Sequence, residues 1–399
     1  MIGVDEYLTQ ILAAVRPIEE TAVPLAEALG RTLRAPVHAA VDMPLFDNSA
    51  MDGFAVRFAD VARASAASPV VLRVVADLPA GSPEDPALGP GEAARIMTGA
   101  AVPASADAVV PFEATAGGLE DSLGDVRVLQ ALRGPGAHIR RRGEDLVVGT
   151  ELVAAGVELG PLQLAAIAAA NVDTVTVSRR PRVAVVSTGS ELVAPGSSLL
   201  RGQIPESNAL LLGALAAEAG AEVVLQTTVA DIDADLQRAL ADATTLRADA
   251  VITSGGVSAG AYEVVRTAIA DMTFTKVAMQ PGKPQGFAAG HPLVFGLPGN
   301  PVSAAVSFEA FVRPALLAMQ GRARLHRRML RLPAAQGWGV PRGRRQYLPI
   351  SFVEGGVAPA TTGGSHLAGG LARAEGYAVI PAEIDAVAAG DIVDVMLFS

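Results

Sequence analysis

The chain opens with apolar residues at Val4, Tyr7, Leu8, Ile11, Leu12 and Val15, the i, i+3, i+4, i+7 spacing of an amphipathic helix, which Pro17 ends. A second short helix is expected over about 24–30, with Pro24 in its first turn and Gly30 at its stop. From Val41 to about Arg140 the pattern changes to short β-branched runs (70–75, 108–110 and 126–129) set between glycine and proline punctuation. That spacing predicts a small β domain. Residues 159–170, LGPLQLAAIAAA, read as helix, so the β segment is expected to interrupt a helical first domain.

The middle third alternates. Apolar strands are expected at 182–187, 222–228, 250–253 and 293–296, and helices at 206–219, 233–245, 262–270 and 302–319. Strand–helix alternation with all-apolar strands predicts a parallel, doubly wound α/β sheet that takes ligands at the carboxyl ends of its strands. Beyond about 330, residues 346–352, 377–380 and 392–398 read as strands of a compact β unit. The expected division is a helical N-terminal domain (1–41 and 141–178), an inserted β domain (42–140), an α/β domain (179–325) and a C-terminal β domain (326–399).

Composition narrows the chemistry. The 399 residues carry 31 basic and 41 acidic side chains, a net charge of −10, which argues against general polyanion binding. There is no cysteine, so disulfides, thiolate zinc sites and cysteine nucleophiles are excluded. Asp5 and Glu6 stand where a signal peptide would carry basic residues, and no uninterrupted apolar run reaches the ~18–20 residues of a membrane span, so a cytoplasmic location is expected. Only Lys276 and Lys283 are lysines. Nine arginines fall between Glu309 and Glu354 with no acid among them, and 140–142 is a second arginine knot. Such clusters are either solvated and paired with distant acids, or they concentrate positive potential for an anion.

The candidate chemistry sits in loops. In TSGGVS (253–258), Gly255 and Gly256 let the backbone approach a ligand, the helix start offers amides to an anion, and Ser254 and Ser258 add hydroxyls; the alternative is a tight turn only. LPGNPVS follows another strand, with Pro298, Gly299 and Asn300 in its turn, and QPGKP braces Lys283 between prolines. Three such loops in one sheet converge on one edge and suit a phosphate-sized pocket. Glu191, after the first strand, suits Mg²⁺ or a polar ring nitrogen, or is a dipole-favoured helix acid; Asp231 and Glu263 are further acids near strand ends. Asp52-Gly53, in the run from Pro44 to Ala55, and Thr98, in the run from Arg95 to Ala100, are open between turn chemistry and function.

PLFDNSAMDGFA, RIMTGAAVP, VVSTGSEL, TSGGVS, QPGKP, LPGNPVS and GSHLAGGLARAEGYAVIP occur in that order over residues 44–381. Together they resemble the bacterial molybdopterin molybdenumtransferase family, which shares its fold with the C-terminal region of gephyrin. The resemblance implies an elongated homodimer with the active site at the subunit interface. It implies the same division, with 179–325 as a molybdopterin-binding α/β domain. The implied reaction converts adenylylated molybdopterin and molybdate, with Mg²⁺, to molybdenum cofactor and AMP, the adenylylation falling to a separate partner enzyme. By motif position Asp52, Thr98, Glu191, Asp231, Glu263, Lys283 and Ser365 resemble the family's functional residues. Asp52 and Thr98 would face the cleft from across the subunit boundary, Glu191 would anchor pterin or metal, Lys283 the phosphate or molybdate, and Ser365 would help close the site. The Mg²⁺ ligand candidates are Glu191 and Asp231. Three positions depart from the family pattern: Ser190 and Glu263 where aspartate is usual, and Gln280 where some members are basic. A non-catalytic molybdopterin-binding or docking scaffold is the alternative function.

Overall fold

The computed structural model describes residues 1–119, 123–256, 265, 268–269, 271–361 and 368–398. The chain divides into two compact units, one of residues 1–35, 155–160 and 175–399, the other of residues 36–154 and 161–174.

The first unit is built on a six-stranded sheet in the order Glu222–Val229, Arg182–Thr188, Ala250–Ser254, Leu293–Leu297, Pro284–Ala288, Thr273–Lys276. The first four strands are parallel, as the alternation predicts. Val183 and Val185 point into a core shared with the Asn208–Glu218 helix and the Pro301–Met319 helical stretch. Ala184 and Val186 point into a core shared with the Asp233–Thr245 helix. Strands buried on both faces carry no polar alternation, which is why they read as continuous apolar runs. The expectation of a wholly parallel sheet is corrected at one edge: Pro284–Ala288 runs antiparallel to Leu293–Leu297 and to Thr273–Lys276. Residues 289–292 are too few for a crossover helix, so the chain can only return as a hairpin.

The helix expected over 262–270 lies largely outside the described residues. The 301–319 stretch is long and apolar enough to cross a membrane by length and composition, but 89% of it is buried inside the fold, where it forms the core. Its centre, Phe308–Val312, is a π-helical turn.

The C-terminal strands form a second sheet, Met279–Gln280, Arg345–Val353, Gly376–Ile380, Ile392–Leu397 and Met329–Pro333 in order. Met279–Gln280 pairs in parallel with Arg345 and Gln346, so the segment leading to Lys283 is stitched to this sheet. At the N-terminus helix is found only over Val4–Ala14, and that helix packs on the α/β core, Tyr7 meeting Phe311 edge-on at 4.9 Å. Residues 24–30 hold a three-residue 3₁₀ turn, Leu25–Glu27, and Glu20–Pro24 pairs as a strand with Thr174–Ser178. The helical first domain is therefore corrected to a mostly extended segment. Its residues find strand partners distant in sequence, and long-range pairing overrides weak local helix signals.

The second unit holds a six-stranded sheet in the order Ala108–Pro111, Gly53–Val56, Glu92–Ile96, Val70–Leu78, Asp125–Val128, Thr115–Ala116. Helix Pro161–Ala169 clusters with it. Gly53 is demanded by packing: a Cβ there would lie 2.0 Å from the carbonyl oxygen of Val110.

Candidate functional site

The parallel strands of the first unit end level with one another. Ser187, Ser254 and Leu297 are register partners across three adjacent strands. Immediately beyond, Gly255 and Gly256 turn with φ of +98° and +64°. At Gly255 a Cβ would lie 2.5 Å from the Thr188 carbonyl oxygen, so both conformation and space require glycine. The Gly255 N–H donates to the Leu297 carbonyl at 3.1 Å, and a Cβ on Gly299 would face the Gly255 Cα at 3.6 Å. The turns after two strands thus touch, and Pro301 at the first helical position starts the next helix behind Asn300.

Lys283 joins this edge through the antiparallel hairpin. Lys283 directly precedes Pro284–Ala288, whose start lies at the edge where Leu293–Leu297 ends because the two strands run antiparallel, and its carbonyl accepts from the Val277 N–H at 2.8 Å. The strand that follows it lies two places from Ala250–Ser254 in the sheet. Its turn is fixed from below: Gln285 Nε2 donates to the Gly282 carbonyl at 2.6 Å and to Ser307 Oγ at 2.7 Å. Lys283 is half-buried and forms no ion pair among the described residues.

The arginines behave otherwise. In the cluster after Glu309, Arg313 and Arg327 meet Glu309, Arg322 meets Glu158, Arg331 meets Asp394, Arg342 meets Asp385, and Arg345 meets Asp5. In the knot, Arg141 holds Asp47 and Arg142 holds Asp42. Most arginines of the two clusters are thus paired with acids, several of them distant in sequence. Arg344 instead donates to Gln280 Oε1 at 3.0 Å, beside the Lys283 turn.

On the other flank, Ser190 and Asp231 clasp each other across neighbouring strand ends. The Ser190 N–H donates to Asp231 Oδ2 and the Asp231 N–H donates to Ser190 Oγ, both at 3.1 Å. Glu191 follows directly, its carboxylate folded toward Gly189. No cluster of three metal-ligating side chains occurs among the described residues. Two carboxylates with a hydroxyl nevertheless suit Mg²⁺, which keeps several waters and takes one or two carboxylates plus substrate phosphate.

Two residues had not been singled out from the sequence. Glu206, 8% exposed, accepts from Ser187 Oγ at 2.8 Å and from the Ala209 N–H at 2.7 Å, capping the Asn208–Glu218 helix. Asn208 bonds both Ser254 and Gly299. A Glu-Ser-Asn run before an apolar stretch is a helix-start signal that could have drawn notice to them.

In the second unit Asp52 and Thr98 are brought together: the Thr98 N–H and hydroxyl both donate to Asp52 Oδ1 at 2.7 Å. These bonds, the backbone one foremost, hold the Asp52 carboxyl below its usual range. Ser258, Glu263 and Ser365 lie outside the described residues.

Three family models cover this arrangement: MoeA N-terminal region (domain I and II) over residues 2–171, probable molybdopterin binding domain over 184–318, and MoeA C-terminal region (domain IV) over 331–398. A Mycobacterium tuberculosis protein, molybdopterin molybdenumtransferase 2, is 43% identical over 98% of both chains. The chain belongs to the molybdopterin molybdenumtransferase family. A molybdopterin molybdenumtransferase from Nostoc is 38% identical, over 90% of this chain and 84% of that one. A crystal structure of a molybdopterin biosynthesis moeA protein from Pyrococcus horikoshii OT3 superposes with a TM-score of 0.86 at 27% identity, over all of both chains. Set in this family, the Ser190 and Gln280 departures each keep a structural task, clasping Asp231 and holding Arg344.

Proposed function

We propose that this protein completes molybdenum cofactor assembly, inserting molybdate into adenylylated molybdopterin and releasing AMP. The observation that carries the reading is the meeting of the Gly255–Gly256 and Pro298–Asn300 turns on one strand edge, with Lys283, a cation with no ion-pair partner among the described residues, on the segment that enters the sheet from that same edge. Backbone amides at glycine turns and an unpaired ammonium form a site for tetrahedral oxyanions, and both molybdate and the phosphates of the nucleotide are such anions. Lys283 would hold the oxyanion; Ser254 and the Gly255–Gly256 backbone would orient it.

Glu191 and Asp231 would hold Mg²⁺, which when bound offsets the charge on a phosphoanhydride under attack. The chain's own contribution there is to keep both carboxylates at the mouth of adjacent strands through the Ser190 clasp. Asp52, oriented by its two bonds from Thr98, would act as a fixed negative acceptor. Ser258, Glu263 and Ser365 are proposed to join the site by motif position. We further propose that the working form is a homodimer, supplied with substrate by a separate adenylyltransferase.

The test is purified protein with adenylylated molybdopterin, molybdate and Mg²⁺. AMP release matched by active cofactor is the expected result. Tight binding of the pterin nucleotide with no AMP release would turn the reading to a binding scaffold.

A further inference from the structure

Asn208, the first residue of the Asn208–Glu218 helix, is only 8% exposed. Its Nδ2 donates both hydrogens, one to Ser254 Oγ and one to the Gly299 carbonyl, each at 2.7 Å. A carbonyl oxygen can only accept, so the atom facing Gly299 is the nitrogen and the carboxamide cannot be turned over. The same nitrogen has no lone pair to offer, so Ser254 Oγ is the acceptor in its bond and retains its own proton. No acceptor for that proton is present among the described residues. At the far side of the carboxamide, Oδ1 is buried and has no partner among the described residues. A buried orphan acceptor is unfavourable and rare in folded proteins. Here it accompanies an orientation in which both amide hydrogens serve Ser254 and Gly299.

We propose that Asn208 is a positioning residue: it makes Ser254 a hydrogen-bond donor toward a tetrahedral oxyanion at the Ser254–Gly256 turn and ties that turn to the Pro298–Asn300 turn. The inference rests on the oxyanion reading given above and deepens it. Because the nitrogen occupies one lone pair of Ser254, the hydroxyl hydrogen is excluded from the Asn208 side and is free for a ligand oxygen. Replacing the amide by a carboxylate reverses this polarity at nearly constant shape. In Asn208→Asp the carboxylate accepts the serine proton, and the serine offers the ligand a lone pair instead of a hydrogen. The new carboxylate also faces the Gly299 carbonyl with no hydrogen between them.

The experiment is calorimetric titration of the full chain with molybdate and, separately, with AMP, alongside thermal melts. Asn208→Asp is expected to weaken binding about tenfold or more, the range for a hydrogen bond to a charged group, and Ser254→Ala to weaken it similarly. In the Ser254→Ala background, Asn208→Asp should cost less than it does in the wild type, since the part of its effect that acts through the serine is already gone. A purely structural role would instead lower the melting temperature without this non-additivity. Loss for molybdate alone, or for AMP alone, supports the proposal and identifies which oxyanion the serine meets. Wild-type protein that binds neither anion overturns the oxyanion reading itself. Wild-type binding with unchanged affinity in Asn208→Asp, or additive losses in the double variant, overturns the role of Asn208 alone. If Asn208→Asp fails to fold, Ser254→Ala decides, and unchanged affinity there rejects the proposal.

Discussion

Thr98 closes on Asp52 twice, its backbone N–H and its hydroxyl both donating to the same carboxylate oxygen at 2.7 Å. These bonds lower the Asp52 pKa from its ordinary 3.8, so its folded value lies below the unfolded one. The sign follows: the stabilisation is present above the unfolded pKa, near 3.9, and is lost as pH falls through the folded value. At neutral pH Asp52 is charged with or without Thr98. Thr98→Val removes the hydroxyl bond and keeps the backbone one, so carboxyl NMR should show the Asp52 titration moving up only part of the way. Activity should fall about tenfold through loss of orientation. A variant with the wild-type titration curve would show that the hydroxyl bond is absent in solution.

Lys283→Ala should lower kcat/KM by about two orders of magnitude, because no other lysine lies on that turn to supply the charge. The melting temperature should barely change, since Lys283 forms no ion pair among the described residues. Lys283→Arg should recover part of the activity. Steady-state kinetics with a melt of each variant checks all three statements.

Chelation by EDTA should stop AMP release and added Mg²⁺ should restore it. Glu191→Ala and Asp231→Ala should each raise the Mg²⁺ concentration needed for half-maximal rate. A Mg²⁺ dependence identical to wild type in both variants would remove these two carboxylates from metal binding.

The proposed homodimer predicts complementation. Chains carrying Asp52→Asn and chains carrying Glu191→Ala, each nearly inactive alone, should regain activity when co-refolded into mixed dimers. No recovery, with mixed dimers demonstrated by tagged pull-down, argues against shared sites.

Glu309 tests stability apart from function. It sits on the π-helical turn, 6% exposed, and both its oxygens bond Arg327, at 2.9 and 2.8 Å. Arg327 also reaches Glu218 and the Phe398 carbonyl, and its carboxylate partners raise its pKa against the lowering by burial, so it stays charged. Glu309→Gln leaves a buried guanidinium short of one charge, which should cost about 3 kcal/mol in denaturant unfolding of the first unit.

Much of this molecule was readable from local pattern. The strands 182–188, 250–254 and 293–297 announce themselves because burial on both faces leaves their central residues uniformly apolar. The TSGG turn does so because only glycine fits at Gly255, where the backbone meets the Thr188 carbonyl. The hairpin edge escaped notice: PQGFA over 284–288 has neither alternation nor a continuous apolar run, and its strand character comes from its neighbours. The arginines were ambiguous for a different reason. Arg345 and Asp5 are 340 residues apart in sequence yet 2.7 Å apart in space, and composition cannot distinguish a free arginine from a paired one.

The amino-acid order alone determined the α/β alternation, the positions of the glycine turns and the presence of one proline-flanked lysine, since each depends on residues within a few positions of one another. Tertiary structure decided which acids the arginines meet, that the Lys283 segment returns to the same strand edge as the glycine turns, and that the Asn208 amide donates to both Ser254 and Gly299. Those outcomes are set by register and by hydrogen-bond geometry between strands and helices far apart in the chain, where a shift of one residue would replace every partner.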